Sequence, residues 1–139
     1  MKLSIALERG LKHASQHCDK SWETGTWLKV NSRGKMTGCV MGLMYLGMTT
    51  AANRKLVAEI LKVNPLPTDL KDDTEHPVDD MITLKGFNTD KEMDKAFHSN
   101  IEHPVTKQKE IVAMTLGTLN DDHQWTAAKI LKWLKSQQL

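Results

Sequence analysis

The most apolar stretch of the chain is Cys39–Met48, which contains no charged side chain. A helix that is apolar on every side has to be surrounded by other elements. Leu and Met favour helix over strand, and Thr37 is placed to cap the start of this helix. Gly42 and Gly47 permit another backbone to approach closely. The sequence therefore predicts a buried helix over Cys39–Met48, with the first and last helices packed around it.

Apolar residues at helical spacing predict five further helices around this segment. Thr89 and Glu92 have the spacing of a capping box, and Thr126 is placed to cap the last helix. The five predicted helices cover residues 3–18, a run after Asn53, residues 89–101, a run from Pro104 to Leu119, and residues 126–137. The segment from Leu119 to His123 is predicted to be a turn.

Two segments do not have a helical pattern. Residues 26–30 have the composition of a strand, and Asn31–Gly34 is a plausible type I turn that leads into a short second strand at residues 35–37. Residues 64–88 are polar and acidic without periodicity, which indicates a long surface loop or an insertion. The predicted fold is mainly α: one domain over residues 1–139, with about six helices and one small β-hairpin.

Length and composition exclude several classes of protein. A chain of 139 residues with 40% hydrophobic and 26% charged residues is an ordinary folded domain, neither disordered nor fibrous. Its longest uncharged apolar run is too short to span a bilayer, and charge follows too soon after Met1 for a signal peptide. The two cysteines, Cys18 and Cys39, do not form the disulfide framework of a small secreted domain. We expect a cytoplasmic protein without membrane contact.

Charge is divided along the chain. Residues 1–63 carry ten Lys and Arg against four Asp and Glu, a net of +6, whereas residues 64–102 carry four against ten, a net of −6. Such a division favours a charged partner or pairing between the two parts. The chain also has four Trp against a total of three Phe and Tyr, and partly exposed Trp is enriched in binding hot spots.

The hairpin and its neighbours combine basic and aromatic residues, and a hairpin tip projects from a helical body. We therefore predict a binding surface made of Trp22, Trp27, Lys29, Arg33, Lys35 and Arg54. The expected partner is an acidic protein surface. Single-stranded nucleic acid is the alternative, because basic residues interleaved with aromatic ones suit a single-stranded backbone.

Cys39 allows an enzymatic alternative. A helix N-terminus lowers the pKa of a thiol, and a cysteine hydrolase or transferase also needs a His base and a group that orients it. If the protein is an enzyme, the catalytic residues are Cys39, with His123 as base and Asn120 or Asp121 as orienter; His103 is a second candidate base. Otherwise Cys39 is a small buried side chain, and Asn120 and Asp121 cap the helix near Thr126.

No cofactor and no metal ion is expected. His13 and His17 are four residues apart on a helix, with Cys18 adjacent, but the helical wheel directs Cys18 toward the core and His13 mostly outward. The acidic loop does not match the EF-hand pattern, because Lys71 occupies the third position counted from Asp69.

Three short motifs occur in order along the chain: Trp22 with Gly25, then Gly38-Cys39-Val-Met-Gly42-Leu43, and finally Leu119-Asn120-Asp121 with Thr126. Together they resemble a family of small single-domain proteins of unknown function from bacteria and their phages. The resemblance covers about half of the chain and leaves residues 64–103 without a counterpart. It implies the same fold and a pairing of Cys39 with Asn120 and Asp121 in space, but no activity. Because no complete catalytic set is present, and because of the divided charge and the Trp content, the favoured function is a non-enzymatic binding protein, such as a phage-encoded modulator of a host protein.

Overall fold

The computed structural model describes residues 1–13, 26–30, 36–50, 66–67 and 90–139. In this part of the chain the helices are α1 (Leu3–His13), α2 (Val40–Met48), α3 (Lys91–Phe97), α4 (Val112–Asp121) and α5 (Ala127–Ser136). The strands are β1 (Thr26–Val30), β2 (Met36–Gly38), β3 (Leu66–Pro67), β4 (Asn100–Glu102) and β5 (Lys109–Ile111). The predicted mainly α fold is confirmed for these residues. The helix predicted after Asn53 lies outside them.

Helix α2 forms the centre of the core, as its composition predicted. Every residue from Val40 to Gly47 is buried, and α2 packs against α1, α4, β1 and β2. The ring of Tyr45 stacks on that of Phe97 from α3, with the ring centroids 5.8 Å apart. An apolar helix of this kind is stable only inside such a shell, because each exposed side of it would leave apolar surface in water.

Helices α1 and α2 cross with their backbones in contact, and two glycines make this possible. A Cβ atom on Gly10 would lie 1.8 Å from the carbonyl oxygen of Leu43, and one on Gly47 would lie 1.8 Å from the carbonyl oxygen of Ala6. Any side chain at either position would collide with backbone. Close approach at Gly47 was predicted from the sequence, whereas the matching role of Gly10 was not.

The first hairpin follows the prediction. Strands β1 and β2 pair antiparallel, with Leu28 opposite Gly38 and Val30 opposite Met36. Strand β3 pairs with the other side of β1, so the sheet order is β2-β1-β3. Leu66 and Pro67 had been assigned to the acidic loop, and this assignment is wrong for these two residues. Pro67 suits an outer strand, since proline has no N–H to donate to a further neighbour.

A second hairpin replaces the predicted helical stretch around Pro104. Helix α3 ends at Phe97 rather than at Ile101, and β4 pairs antiparallel with β5 through Ile101 opposite Glu110. Helix α4 begins at Val112. The connection between the strands includes Lys107 at a φ of 63°, a left-handed conformation that ends regular structure.

The caps of α3 and α5 are local side chains. Asp90, not Thr89, is the N-cap of α3, and its carboxylate accepts from the N–H groups of Glu92 and Met93 at 3.0 and 3.1 Å. Burial raises the pKa of Asp90, but the Met93 N–H and the Met1 ammonium outweigh this effect, so the pKa falls below its ordinary 3.8. Thr126 caps α5, as predicted.

Helices α1 and α5 lie antiparallel. The N–H and the hydroxyl of Ser4 both donate to the carbonyl oxygen of Leu139, at 3.3 and 2.6 Å. One helical turn further along each helix, Lys135 pairs with Glu8. None of the helices in the described ranges is long and apolar enough to cross a membrane.

Candidate functional site

The candidate nucleophile, Cys39, lies at the N-terminus of α2, and Asn120 of α4 contacts the same end of the helix. Cys39 is the N-cap residue, with an extended backbone. The first N–H group of the helix, that of Val40, donates to Oδ1 of Asn120 at 3.3 Å. The predicted cap, Thr37, is therefore replaced by a side chain from α4, 80 residues further along the chain.

Asn120 is held by contacts on two sides. It is 3% exposed, its Oδ1 accepts from Val40, and its Nδ2 donates to the carboxylate of Asp121. Both residues belong to α4, which continues through Asp121, so the turn predicted from Leu119 to His123 starts too early. Asn120 does not cap the helix near Thr126. A buried asparagine without hydrogen-bond partners would destabilise the fold. The Val40 N–H of α2 provides such a partner.

The environment of Cys39 favours the thiol over the thiolate. Its side chain is 7% exposed. Burial raises the pKa of Cys39 from 9.0 to about 11; the nearby Asp121 adds to this, while the N–H groups of Gly42 and Met41 oppose it. Loss of hydration therefore exceeds the effect of the helix N-terminus. At neutral pH the protein presents a protonated thiol here, which is a weak nucleophile.

The two candidate bases lie against each other. The ring centroids of His103 and His123 are 5.3 Å apart, and the ring planes are tilted by 59°. His103 is 1% exposed. Its Nδ1 accepts from the N–H groups of Val105 and Thr106, at 3.0 and 3.1 Å. An Nδ1 that accepts carries no hydrogen, so the hydrogen of the neutral ring lies on Nε2.

The Nε2 of His103 is also engaged. It lies 2.8 Å from the hydroxyl oxygen of Thr118 and donates to it. The Thr118 hydroxyl donates in turn to the carbonyl oxygen of Thr115, and the Thr115 hydroxyl donates to Glu110 at 3.0 Å. This network ties the β4–β5 connection to α4. Both ring nitrogens of His103 have structural partners, and neither is available to take a proton from Cys39.

Sequence reasoning missed this network because it had placed residues 104–111 in a helix. The available signal was the alternation of Asn100–Glu102, followed by Pro104 and then by a β-branched residue at Ile111. A hairpin there brings His103 and Glu110 over the first turns of α4.

The predicted binding residues fall mostly outside the described residues. The backbone of Trp27 and Lys29 lies in β1, and Trp22, Arg33, Lys35 and Arg54 are not described. His17 and Cys18 are not described either, while His13 is the last residue of α1 and is exposed. Among the residues that the structure describes, no group of three or more His, Cys, Asp or Glu side chains could hold a metal ion.

Two further tryptophans border the last helix. Trp125 and Trp133 are half-buried and pack against the core. The Nζ of Lys129 lies 4.2 Å from the ring centroid of Trp125, a cation–π contact. Trp133 belongs to α5.

Comparison of the chain with protein-family models, with curated proteins and with solved structures finds no match.

Proposed function

We propose that this is a non-enzymatic binding protein that acts by surface contact on an acidic region of a protein partner. The observation that carries the proposal is the state of Cys39: a buried thiol, with its pKa raised to about 11, at a helix start that Asn120 caps. These residues hold α2 against α4. His103, the other candidate for chemistry, joins a hairpin to α4. Cys39, Asn120 and His103 thus have structural roles in the fold.

The proposed contact surface is the hairpin region: Trp22, Trp27, Lys29, Arg33, Lys35 and Arg54. Its two strands rest on α2, the most buried helix described, and β1 is held between β2 and β3. A hairpin anchored in this way keeps its position when a partner binds, which lowers the entropic cost of association. The excess of basic residues in this part of the chain favours an acidic partner. A phage-encoded modulator that binds a host protein would act in this way.

A thiol titration tests this proposal against the rival hydrolase or transferase. Iodoacetamide at pH 6 should label Cys39 no faster than Cys18 in the folded protein, because a thiol with so high a pKa holds very little thiolate. Labelling of Cys39 much faster than Cys18 would count heavily for the enzyme and against the binding proposal.

A capture experiment from cell lysate tests the surface. The double variant Trp27→Ala with Arg33→Glu should lose a protein partner that the parent retains after nuclease treatment. Lys95→Glu is the matched control. Lys95 is exposed on α3, and this substitution reverses a positive charge away from the hairpin sequence. A partner that disappears with nuclease would favour single-stranded nucleic acid instead. If the folded double variant retains every partner, the surface lies elsewhere.

A further inference from the structure

A second basic surface lies on the antiparallel helices α1 and α5. We call it the α1–α5 face. Its exposed residues are Lys2, Ile5, Arg9, Lys12, Lys129, Lys132 and Lys135. Lys2 precedes α1, helical spacing places Ile5, Arg9 and Lys12 on one side of α1, and the three lysines lie on the exposed side of α5.

The face has almost no compensating negative charge of its own. Glu8 is the one carboxylate within α1 and α5, and it is paired with Lys135. Asp90 and Glu92 pair with the Met1 ammonium, so acidic residues border the face at the end near Met1. Six exposed cations against one carboxylate create a positive potential that concentrates anions.

The composition of the α1–α5 face selects among anionic partners. Protein interfaces are depleted of Lys and are anchored by exposed aromatic side chains. Binding to a membrane surface needs a larger apolar side than Ile5 at 41% exposure supplies. Single strands stack on open aromatic rings, whereas Lys129 covers the ring of Trp125. The phosphate backbone of a duplex requires only well-placed cations.

The cations of the two helices are close enough to act on one duplex. Residues 129, 132 and 135 follow each other at about 4.5 Å along the axis of α5, from a rise of about 1.5 Å per residue. Packed helices have axes about 8–10 Å apart, so the basic residues of α1 and α5 form one charged surface that can contact several phosphates. We propose that the α1–α5 face binds the phosphate backbone of double-stranded nucleic acid without sequence preference.

This inference is independent of the protein partner proposed for the hairpin, and purified protein tests it. The probe is a fluorescently labelled DNA duplex of about 20 base pairs, roughly two helical turns, followed by anisotropy from about 50 to 200 mM salt. The parent protein should bind, and log K should fall linearly with log salt. Arg9→Glu with Lys132→Glu should raise the Kd about tenfold or more and reduce the slope by about two.

The matched control is Lys91→Glu with Lys95→Glu, which changes net charge equally on exposed positions of α3. It should retain most of the affinity. Equal weakening by both double variants would overturn the proposal, because net charge and not the face would then govern binding. Absence of binding at the lowest salt would also overturn it. So would tighter binding to a single strand of the same length, or binding to vesicles of anionic lipid but not to the duplex.

Circular dichroism and thermal unfolding check that each variant is folded. If the two charge reversals prevent folding, Arg9→Gln with Lys132→Gln removes the same two cations without introducing repulsion. This milder pair should still lower the salt slope by about two, and an unchanged slope would refute the assignment of the face.

Discussion

The crossing of α1 and α2 should not accept a single methyl group. In Gly10→Ala the new Cβ would start 1.8 Å from the carbonyl oxygen of Leu43, against at least 3.4 Å for an ordinary contact. The two helices would have to separate by about 1.6 Å, since a backbone carbonyl cannot rotate away as a side chain can. Overpacking a core costs about 1–3 kcal/mol and occasionally more. The gain of about 1 kcal/mol in helix propensity offsets only part of this.

We therefore expect Gly10→Ala to lower the free energy of unfolding by roughly 2 kcal/mol or more. Gly47→Ala should behave alike, because its Cβ would meet the carbonyl oxygen of Ala6 at 1.8 Å. Gly117→Ala is the control of opposite sign. It lies inside α4 with no atom within 4 Å of the new Cβ, so it should stabilise the protein by about 0.5–1 kcal/mol.

Urea unfolding and thermal melts measure these differences. A loss of 2 kcal/mol corresponds to a Tm lower by roughly 8 °C for a chain of this size. The double variant of Gly10 and Gly47 should lose less than the sum of the two single variants, because helices already pushed apart have room for the second methyl. A Gly10→Ala protein as stable as the parent would refute the close crossing. Strict additivity in the double variant would refute a shared separation.

Three further outcomes are expected. Cys39 has a folded-state pKa near 11 against an ordinary 9.0, so its contribution to stability is complete below pH 9 and is lost as the pH rises toward 11. This loss amounts to about 3 kcal/mol, and Cys39→Ala should remove that alkaline slope in urea titrations. Asn120→Ala should cost about 1–3 kcal/mol by leaving the Val40 N–H unpaired, whereas Asp122→Ala, at an exposed position, should cost less than about 0.5 kcal/mol. Asp90→Ala should cost about 1 kcal/mol at neutral pH through loss of the cap. This cost of Asp90→Ala should shrink as the pH falls below 3.8 and through the lower pKa that Asp90 has in the folded protein. A cost independent of pH would contradict the role of the Asp90 carboxylate.

Features set by neighbours in sequence were predictable. The apolar run of α2 predicted a central helix, Thr126 predicted the start of α5, and the turn sequence Asn31–Gly34 predicted the pairing of β1 with β2. In each case the signal and the structure it specifies lie within one segment. Hydrophobic pattern and capping chemistry are sufficient there.

Features that depend on residues distant in the sequence were not predictable. Nothing near Val40 shows that its N–H is bound by Asn120, and nothing near Gly10 shows that Leu43 lies against it. The hairpin β4–β5 was missed because Ile101 and Ile111 also fit a helical pattern, and short apolar runs do not distinguish helix from strand. For the candidate site, the resemblance implied that Cys39 lies near Asn120 and Asp121, but the burial that raises the pKa of the thiol depends on the packing of the whole core.

The cap of α2 by Asn120 makes the Val40 amide a reporter for the closure of a long loop. The contact joins residues 80 positions apart, so the entropy of closing a long loop has to be met before it forms. During synthesis α2 emerges long before α4, and its first turn stays uncapped until both are present. Hydrogen exchange at the Val40 amide will therefore follow the docking of α4 rather than the formation of α2, and its protection should appear late in refolding.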